Sequence, residues 1–231
     1  MNCRAVLFDL YDTLALAEAG GSGEADAGFT QLLAGAGVAR DAWERHWQAG
    51  IRACMRGGVT LMQQIRSVLR AADADGADPT LADEIAALIY SRWVPRLYAD
   101  TRPALTELRN RGYRLALVSN VAWYTSWLAE LELDQHFDHL VLSCEVKLLK
   151  PEPEMYLHAA ARLSVPPREC IFVGDGMDRE LSGARVVGMT TVRVDRAVRG
   201  NNAPRDDCFD YRVTDLKGLL DWLPRRVGAA E

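Results

Sequence analysis

Cysteine is sparse and scattered in this chain. Of 231 residues five are cysteines, Cys3, Cys54, Cys144, Cys170 and Cys208, and no CxxC pair occurs among them. An odd, widely spaced set in mostly apolar context argues against a disulfide framework or a zinc ribbon and fits buried thiols in a reducing compartment. No apolar run approaches the roughly 20 residues that cross a bilayer, and no charged-then-apolar leader precedes the first apolar segment. Charge of neither sign gathers in blocks. The 27 Lys and Arg and 32 Asp and Glu are interspersed, for a net charge of −5, so neither a nucleic-acid-binding stripe nor a polybasic membrane patch is expected. No internal repeat is present. What remains is a cytoplasmic protein with a small soluble partner, long enough for one α/β domain or a core with a modest insertion.

Three apolar runs end in polar groups. Val6, Leu7 and Phe8 form the short continuous run of a strand covered on both faces. Asp9 follows at its carboxyl end, where open α/β sheets bind ligands. Leu115 to Val118 run into Ser119 and Asn120, and Ile171 to Val173 run into Gly174, Asp175 and Gly176. Between these two lies Lys150, before Pro151, with no charge partner at helical spacing. Taken singly, each has a plain reading as a turn, a loop or a solvated lysine.

Residues 15–23 are small and glycine-rich, which reads as a flexible hinge or flap. Helical stripes follow, at Trp43, Trp47, Ile51 and Cys54, at Leu61, Ile65, Val68 and Leu69, and at Leu81, Ile85, Leu88 and Ile89. Residues 93–101 read as a return linker, with Pro95 and Pro103 limiting helix continuation. From Pro103 helices alternate with strands at 114–119, 140–142, 170–173 and 190–194, an edge strand at 211–213 and a closing helix at 216–223. That alternation predicts an α/β fold, a doubly wound parallel sheet with helical crossovers.

In this order the polar strand ends resemble the four motifs of the haloacid dehalogenase-like hydrolases: Asp9 to Thr13, Ser119, Lys150, and Gly174-Asp175 followed by Glu180. The resemblance implies a Rossmann-like core over 1–14 and 99–231 with an inserted helical cap of type 1 over 15–98. It implies Asp9 as a nucleophile, and Mg2+ held by Asp9, Asp175, the carbonyl of Tyr11 and Glu180, the last directly or through water. Three converging acids would repel one another without a cation, and magnesium prefers such oxygen ligands. Thr13, Ser119 and Lys150 would bind the transferring phosphate, Lys150 as a point charge to Asp9 as well. Asn120 reads as a substrate- or nucleophile-orienting group, or equally as a turn residue.

Two residues depart from the family's pattern. Its phosphatases carry a proton-donating aspartate two residues after the nucleophile, and here that position is Tyr11; Asp12 stands where glycine is usual. A phenol, with an unperturbed pKa of about 10, donates a proton but serves poorly as a base. In an extended segment Asp12 would face the opposite side from Tyr11. Tyr11 and Tyr156 are shared with the 2-haloacid dehalogenases, metal-free enzymes that lack the metal-binding acid kept here as Asp175. The expectation is a magnesium-dependent hydrolase of a small phosphomonoester, acting through an aspartyl-phosphate on Asp9 with Tyr11, Asp12 and Lys150 in the catalytic set. A dehalogenase working through an aspartyl ester is the second reading, and a non-catalytic binding or regulatory protein the third. In the cap, Arg40, Arg45, Arg52 and Arg56 are candidate anion contacts, each also readable as a solvated helix face.

Overall fold

The structure is a computed structural model that describes residues 2–16, 23–72, 74, 80–92, 96–123, 127–196 and 206–223. Six strands form one sheet: β1 (Ala5–Phe8), β2 (Arg114–Ser119), β3 (His139–Leu142), β4 (Cys170–Gly174), β5 (Thr190–Val194) and β6 (Tyr211–Val213). Their order is β3-β2-β1-β4-β5-β6, and every neighbouring pair is parallel. The helices are α1 (Gly23–Gly35), α2 (Arg40–Met55), α3 (Leu61–Ala71), α4 (Leu81–Arg92), α5 (Thr101–Asn110), α6 (Trp127–Glu130), α7 (Ser143–Val146), α8 (Pro153–Arg162), α9 (Glu180–Val186) and α10 (Leu216–Trp222).

The strands are apolar throughout because the sheet is covered on both faces. Side chains alternate along β1, so Val6 and Phe8 pack with Leu105, Leu108, Leu216 and Leu219 of α5 and α10 on one side. Leu7 packs on the other side with Met155 and Tyr156 of α8 and Leu181 of α9. This is the doubly wound architecture the sequence predicts. The central β1 lies between β2 and β4, with Leu7 level with Ala116 and Phe172. Crossovers leave it in opposite directions, and a crevice opens at the strands' carboxyl ends.

Helices α1 to α4, between β1 and β2 in sequence, enclose an apolar cluster of their own, with Phe29, Leu33, Trp43, Ile65, Val68, Ile85 and Ile89 buried. The cluster takes in most of the stripes at helical spacing, with Trp47 and Leu88 partly buried against it and Ile51 and Cys54 outside it. A capping box, Thr60 with Gln63, starts α3. The turn that ends α2 is one place where this layer meets the core. Gly57, at φ 66, abuts Cys144 so closely that a Cβ would lie 2.1 Å from the Cys144 carbonyl oxygen, and Arg56 pairs with Glu152.

The start of the expected hinge is packed. Leu14 and Ala15 are fully buried. Ala15 bridges to Tyr11 and, antiparallel, to Leu97; the Leu16 N–H donates to the Arg96 carbonyl at 2.9 Å and the Tyr98 N–H to Leu14 at 3.1 Å. A buried backbone must satisfy its polar groups, and the outgoing and returning chains do so for each other. Residues 17–22, the rest of that expected hinge, lie outside the described residues. The helix after β4 starts only at Glu180, because Asp178 and Arg179 take left-handed φ of 54 and 59. Among the described residues no helix is long and apolar enough to cross a membrane. Since Leu7 is fully buried in the central strand, Leu7→Ala is expected to lower unfolding free energy by about 2–5 kcal/mol, measured by urea denaturation followed by circular dichroism.

Candidate active site

Asp9 leaves β1 into the crevice, its N–H donating to the Val173 carbonyl at 2.9 Å, and is 6% exposed. The chain then turns back on itself. Leu14 and Ala15 N–H groups both donate to the Leu10 carbonyl, and the Asp12 N–H donates to Ala15 at 2.6 Å. Asp12 sits in the left-handed region at φ 54, a conformation aspartate tolerates better than most residues. The extended segment assumed from sequence is therefore absent, and so is the opposition of neighbouring side chains. Tyr11 and Asp12 both line a cavity of about 250 Å³ together with Asp9, Ser119, Asn120, Lys150, Asp175 and Glu180. Burial and the neighbouring Asp9 charge push the Tyr11 phenol well above its ordinary pKa, so it is neutral at physiological pH.

Lys150 is the electrostatic centre. Its ammonium is 4% exposed, bonds Asp9 Oδ1, and donates to Glu180 Oε2 at 2.6 Å. These partners lie 141 and 30 positions away in sequence, which is why spacing along a helix could not reveal them. Burial alone would lower the ammonium's pKa, but the carboxylates of Asp9 and Glu180 outweigh it and keep the group charged. Asn120 does not reach the nucleophile. Its amide exchanges hydrogen bonds with the Lys150 backbone, Nδ2 to the carbonyl at 3.0 Å and the N–H to Oδ1 at 2.9 Å, bracing the lysine loop. Thr13 Oγ1 donates to Asp9 Oδ2 at 3.1 Å and is absent from the cavity wall. Its hydroxyl is directed at the aspartate.

Oxygens of Asp9, Asp175 and Glu180 lie within 4.8 Å of one another. Glu180 Oε1 accepts from the Gly176 N–H at 3.1 Å, and Asp175 Oδ1 from Met177 N–H at 3.0 Å. The close seat of Glu180 requires glycine at 174, where a Cβ would lie 2.1 Å from Glu180 Oε1. Tyr156 closes this side from below, its hydroxyl donating to the Glu180 carbonyl at 2.8 Å and its ring edge-on to Phe172. Three buried acids converge here, and two of them, Asp9 and Glu180, meet the Lys150 ammonium. Burial first, then the Asp9 charge, pushes the Glu180 carboxyl up to about 8 against the opposing pull of Lys150. An all-oxygen set of converging carboxylates suits a hard divalent cation.

The candidate cap arginines do not line this cavity. Arg40 and Arg45 pair along α2 with Glu44 and Asp41, Arg56 holds Glu152, and Arg52 is exposed. The face of α2 turned to the crevice is apolar instead. Sequence reasoning also passed over Arg196, which is 9% exposed just beyond β5. Its Nε and Nη2 donate to the Thr13 carbonyl at 3.2 and 2.9 Å, and Nη1 to Asp100 Oδ2 at 2.8 Å. The guanidinium carbon stands 4.1 Å from the Tyr98 ring centroid. With Thr101 Oγ1 donating to the Leu14 carbonyl at 2.6 Å, it pins the turn that carries Tyr11 and Asp12. A lone arginine has no local signature; its place at a strand's carboxyl end was the available signal.

Fold and site together define an α/β protein with a buried carboxylate–lysine centre at the switch point of a parallel sheet. The pattern of the haloacid dehalogenase-like hydrolases matches residues 3–188. The chain belongs to that family, and it is a hydrolase. It is 31% identical over 228 residues to a glyceraldehyde 3-phosphate phosphatase of Methanopyrus kandleri, covering 94% of this chain and 96% of that one. A phosphoserine phosphatase of Thermus thermophilus is 31% identical over 182 residues, 77% of this chain and 71% of the other. The structure of a 2-haloacid dehalogenase from Pseudomonas syringae superposes with a TM-score of 0.72 at 22% identity over 95% and 97% of the two chains, a likeness of fold.

Arg196→Lys is expected to destabilise the protein by about 1–3 kcal/mol, because a point charge cannot reproduce the fork that spans Thr13 and Asp100. The midpoint of urea unfolding, with the slope unchanged, measures it.

Proposed function

We propose that this protein is a magnesium-dependent phosphatase that hydrolyses a small phosphomonoester through an aspartyl-phosphate on Asp9. The observation that carries the reading is the convergence of three buried carboxylates, Asp9, Asp175 and Glu180, with oxygens within 4.8 Å of one another at the carboxyl edge of the sheet. Asp9, Asp175, the Tyr11 carbonyl and Glu180 are the residues that would hold Mg2+, Glu180 directly or through water. When bound, the ion supplies charge neutralisation for the phosphate and for the acids around it. The two named phosphatases support the same reaction class.

In this reading Thr13 and Lys150 bond opposite oxygens of Asp9 and so fix the plane of the carboxylate that attacks phosphorus. The ester oxygen leaves as the Asp9–phosphorus bond forms, and water later attacks phosphorus to release phosphate and restore Asp9. Lys150 offsets charge on the transferring group, whose oxygens Ser119 also meets at the cavity wall. Proton transfer falls to Asp12. It lines the cavity beside Asp9, whereas the Tyr11 phenol is driven further from ionisation. Helices α1 to α4, within residues 15–98, act as a cap that excludes water from the crevice.

Tyr11 and Tyr156 favour the second reading, a 2-haloacid dehalogenase, in which Asp9 displaces halide from carbon and forms an ester. Asp175 and Glu180 weigh against it, since a metal-free site would bury both beside Asp9.

Asp9→Asn is expected to abolish turnover with the circular dichroism spectrum unchanged; activity within about tenfold of the parent removes Asp9 as nucleophile. EDTA is expected to abolish phosphatase activity and magnesium to restore it, while full turnover of 2-chloropropionate in EDTA establishes the dehalogenase instead. For the proton-transfer role, Asp12→Asn lowers kcat on alkyl phosphates by about 10²-fold or more, and Tyr11→Phe changes it far less. The reverse ranking in steady-state assays transfers the role to Tyr11.

A further inference from the structure

A second cavity, of about 220 Å³, adjoins the one that holds Asp9. Tyr11 and Asn120 line both, so a molecule whose phosphate sits by Asp9 extends its remaining part past these two residues. The new walls come from two places. Trp47, Ile51 and Met55 stand on α2, and Val121 and Trp123 on the segment after β2. Among the described residues no side chain of either charge lines the space. Its polar groups are Gln48, the Tyr11 phenol and Asn120, and the Asn120 amide is already bonded to the Lys150 backbone through both its oxygen and its nitrogen.

The walls are braced. Trp47 stacks on the buried Trp43 with ring centroids 5.6 Å apart, and its ring lies 6.5 Å from that of Trp123, which meets Tyr90 edge-on at 6.1 Å. Trp47, Ile51, Met55 and Trp123 are only half-buried, so their apolar faces border the opening rather than being consumed in a core. A strongly polar leaving group would give up water here for few partners, and an isolated charge would meet none of opposite sign among the described residues. An apolar ring loses nothing of the kind and gains aromatic contact. An apolar cavity of about 150 Å³ accommodates benzene, so the size suits one substituted ring.

We infer that the substrate is a phosphomonoester whose leaving group is apolar and about the size of a single aromatic ring, seated against the Trp47–Trp123 pair and the Ile51 and Met55 side chains. The inference rests on the phosphatase reading and makes it more specific. It sets this chain apart from relatives named for glyceraldehyde 3-phosphate and phosphoserine, whose small polar leaving groups would leave these apolar walls unused.

The test compares benzyl phosphate with glycerol 1-phosphate and phosphoserine in the presence of magnesium. All three release unactivated alkoxide oxygens, so their ratio reports the pocket rather than leaving-group reactivity. Benzyl phosphate is expected to lead in kcat/KM by about 10- to 200-fold, mainly through KM. Ile51→Asn and, separately, Met55→Gln are expected to cut that lead about tenfold; neither side chain is fully buried, and circular dichroism checks each fold. Benzylphosphonate, which is not hydrolysed, should quench tryptophan fluorescence and compete with substrate, with weaker binding to both variants. Equal turnover of the three esters, or a lead that survives both substitutions, overturns the substrate class and leaves the phosphatase standing. Turnover of no phosphomonoester overturns the phosphatase reading and this inference with it.

Discussion

A buried ammonium between two carboxylates organises this molecule. Lys150 draws Asp9 from the end of β1 and Glu180 from the start of α9 into one hydrogen-bonded unit, and it does so where water cannot screen the interaction. Such a pair contributes little net stability, because desolvating the ions offsets their attraction. Its effect is on position. The sheet supplies the convergence, and the lysine fixes which oxygens face the cavity. Around it, Asn120 holds the lysine backbone, Thr13 the far oxygen of Asp9 and Tyr156 the Glu180 backbone, so the unit is over-determined and its geometry does not wait for a ligand.

The parallel sheet was legible because its strands are buried on both faces and therefore read as continuous apolar runs bounded by polar ends. Asp9, Ser119 and Asp175 could be named for a related reason: in such sheets the polar residue after an apolar run falls in the crevice. Lys150 and Glu180, which follow no strand, were named from the resemblance alone. Their division of labour was hidden. Whether Thr13 faces a ligand or its neighbour, and whether Asn120 serves a substrate or a loop, depends on side-chain directions fixed by contacts across the fold. Asp12 illustrates the point most sharply. Alternation along an extended chain predicts one face for it, and a single left-handed residue reverses that outcome. Tertiary hydrogen bonds from Arg196 and Thr101 hold the turn, and no local pattern announces them.

The helical layer between β1 and β2 was readable as helices from its stripes, but the use of each face was not. Arginines drew attention as possible anion contacts, whereas α2 satisfies Arg40 and Arg45 with acids one turn away and turns Trp47, Ile51 and Met55 toward the crevice. Charged side chains on a helix are readily neutralised by neighbours at i, i+4. Trp47 spends one face on Trp43 a turn away and keeps the rest of its apolar surface at the crevice.

The pairing of Leu16 with Arg96 and of Leu14 with Tyr98 has a wider meaning. The chain departs from the sheet and comes back to it at one point, its two ends a single hydrogen bond apart, so the core experiences everything between as an oversized hairpin. What lies beyond that junction is free to vary in length, helix count and chemistry without disturbing strand order. One hydrolytic engine could thus acquire new substrates by exchanging the material hung from a fixed socket.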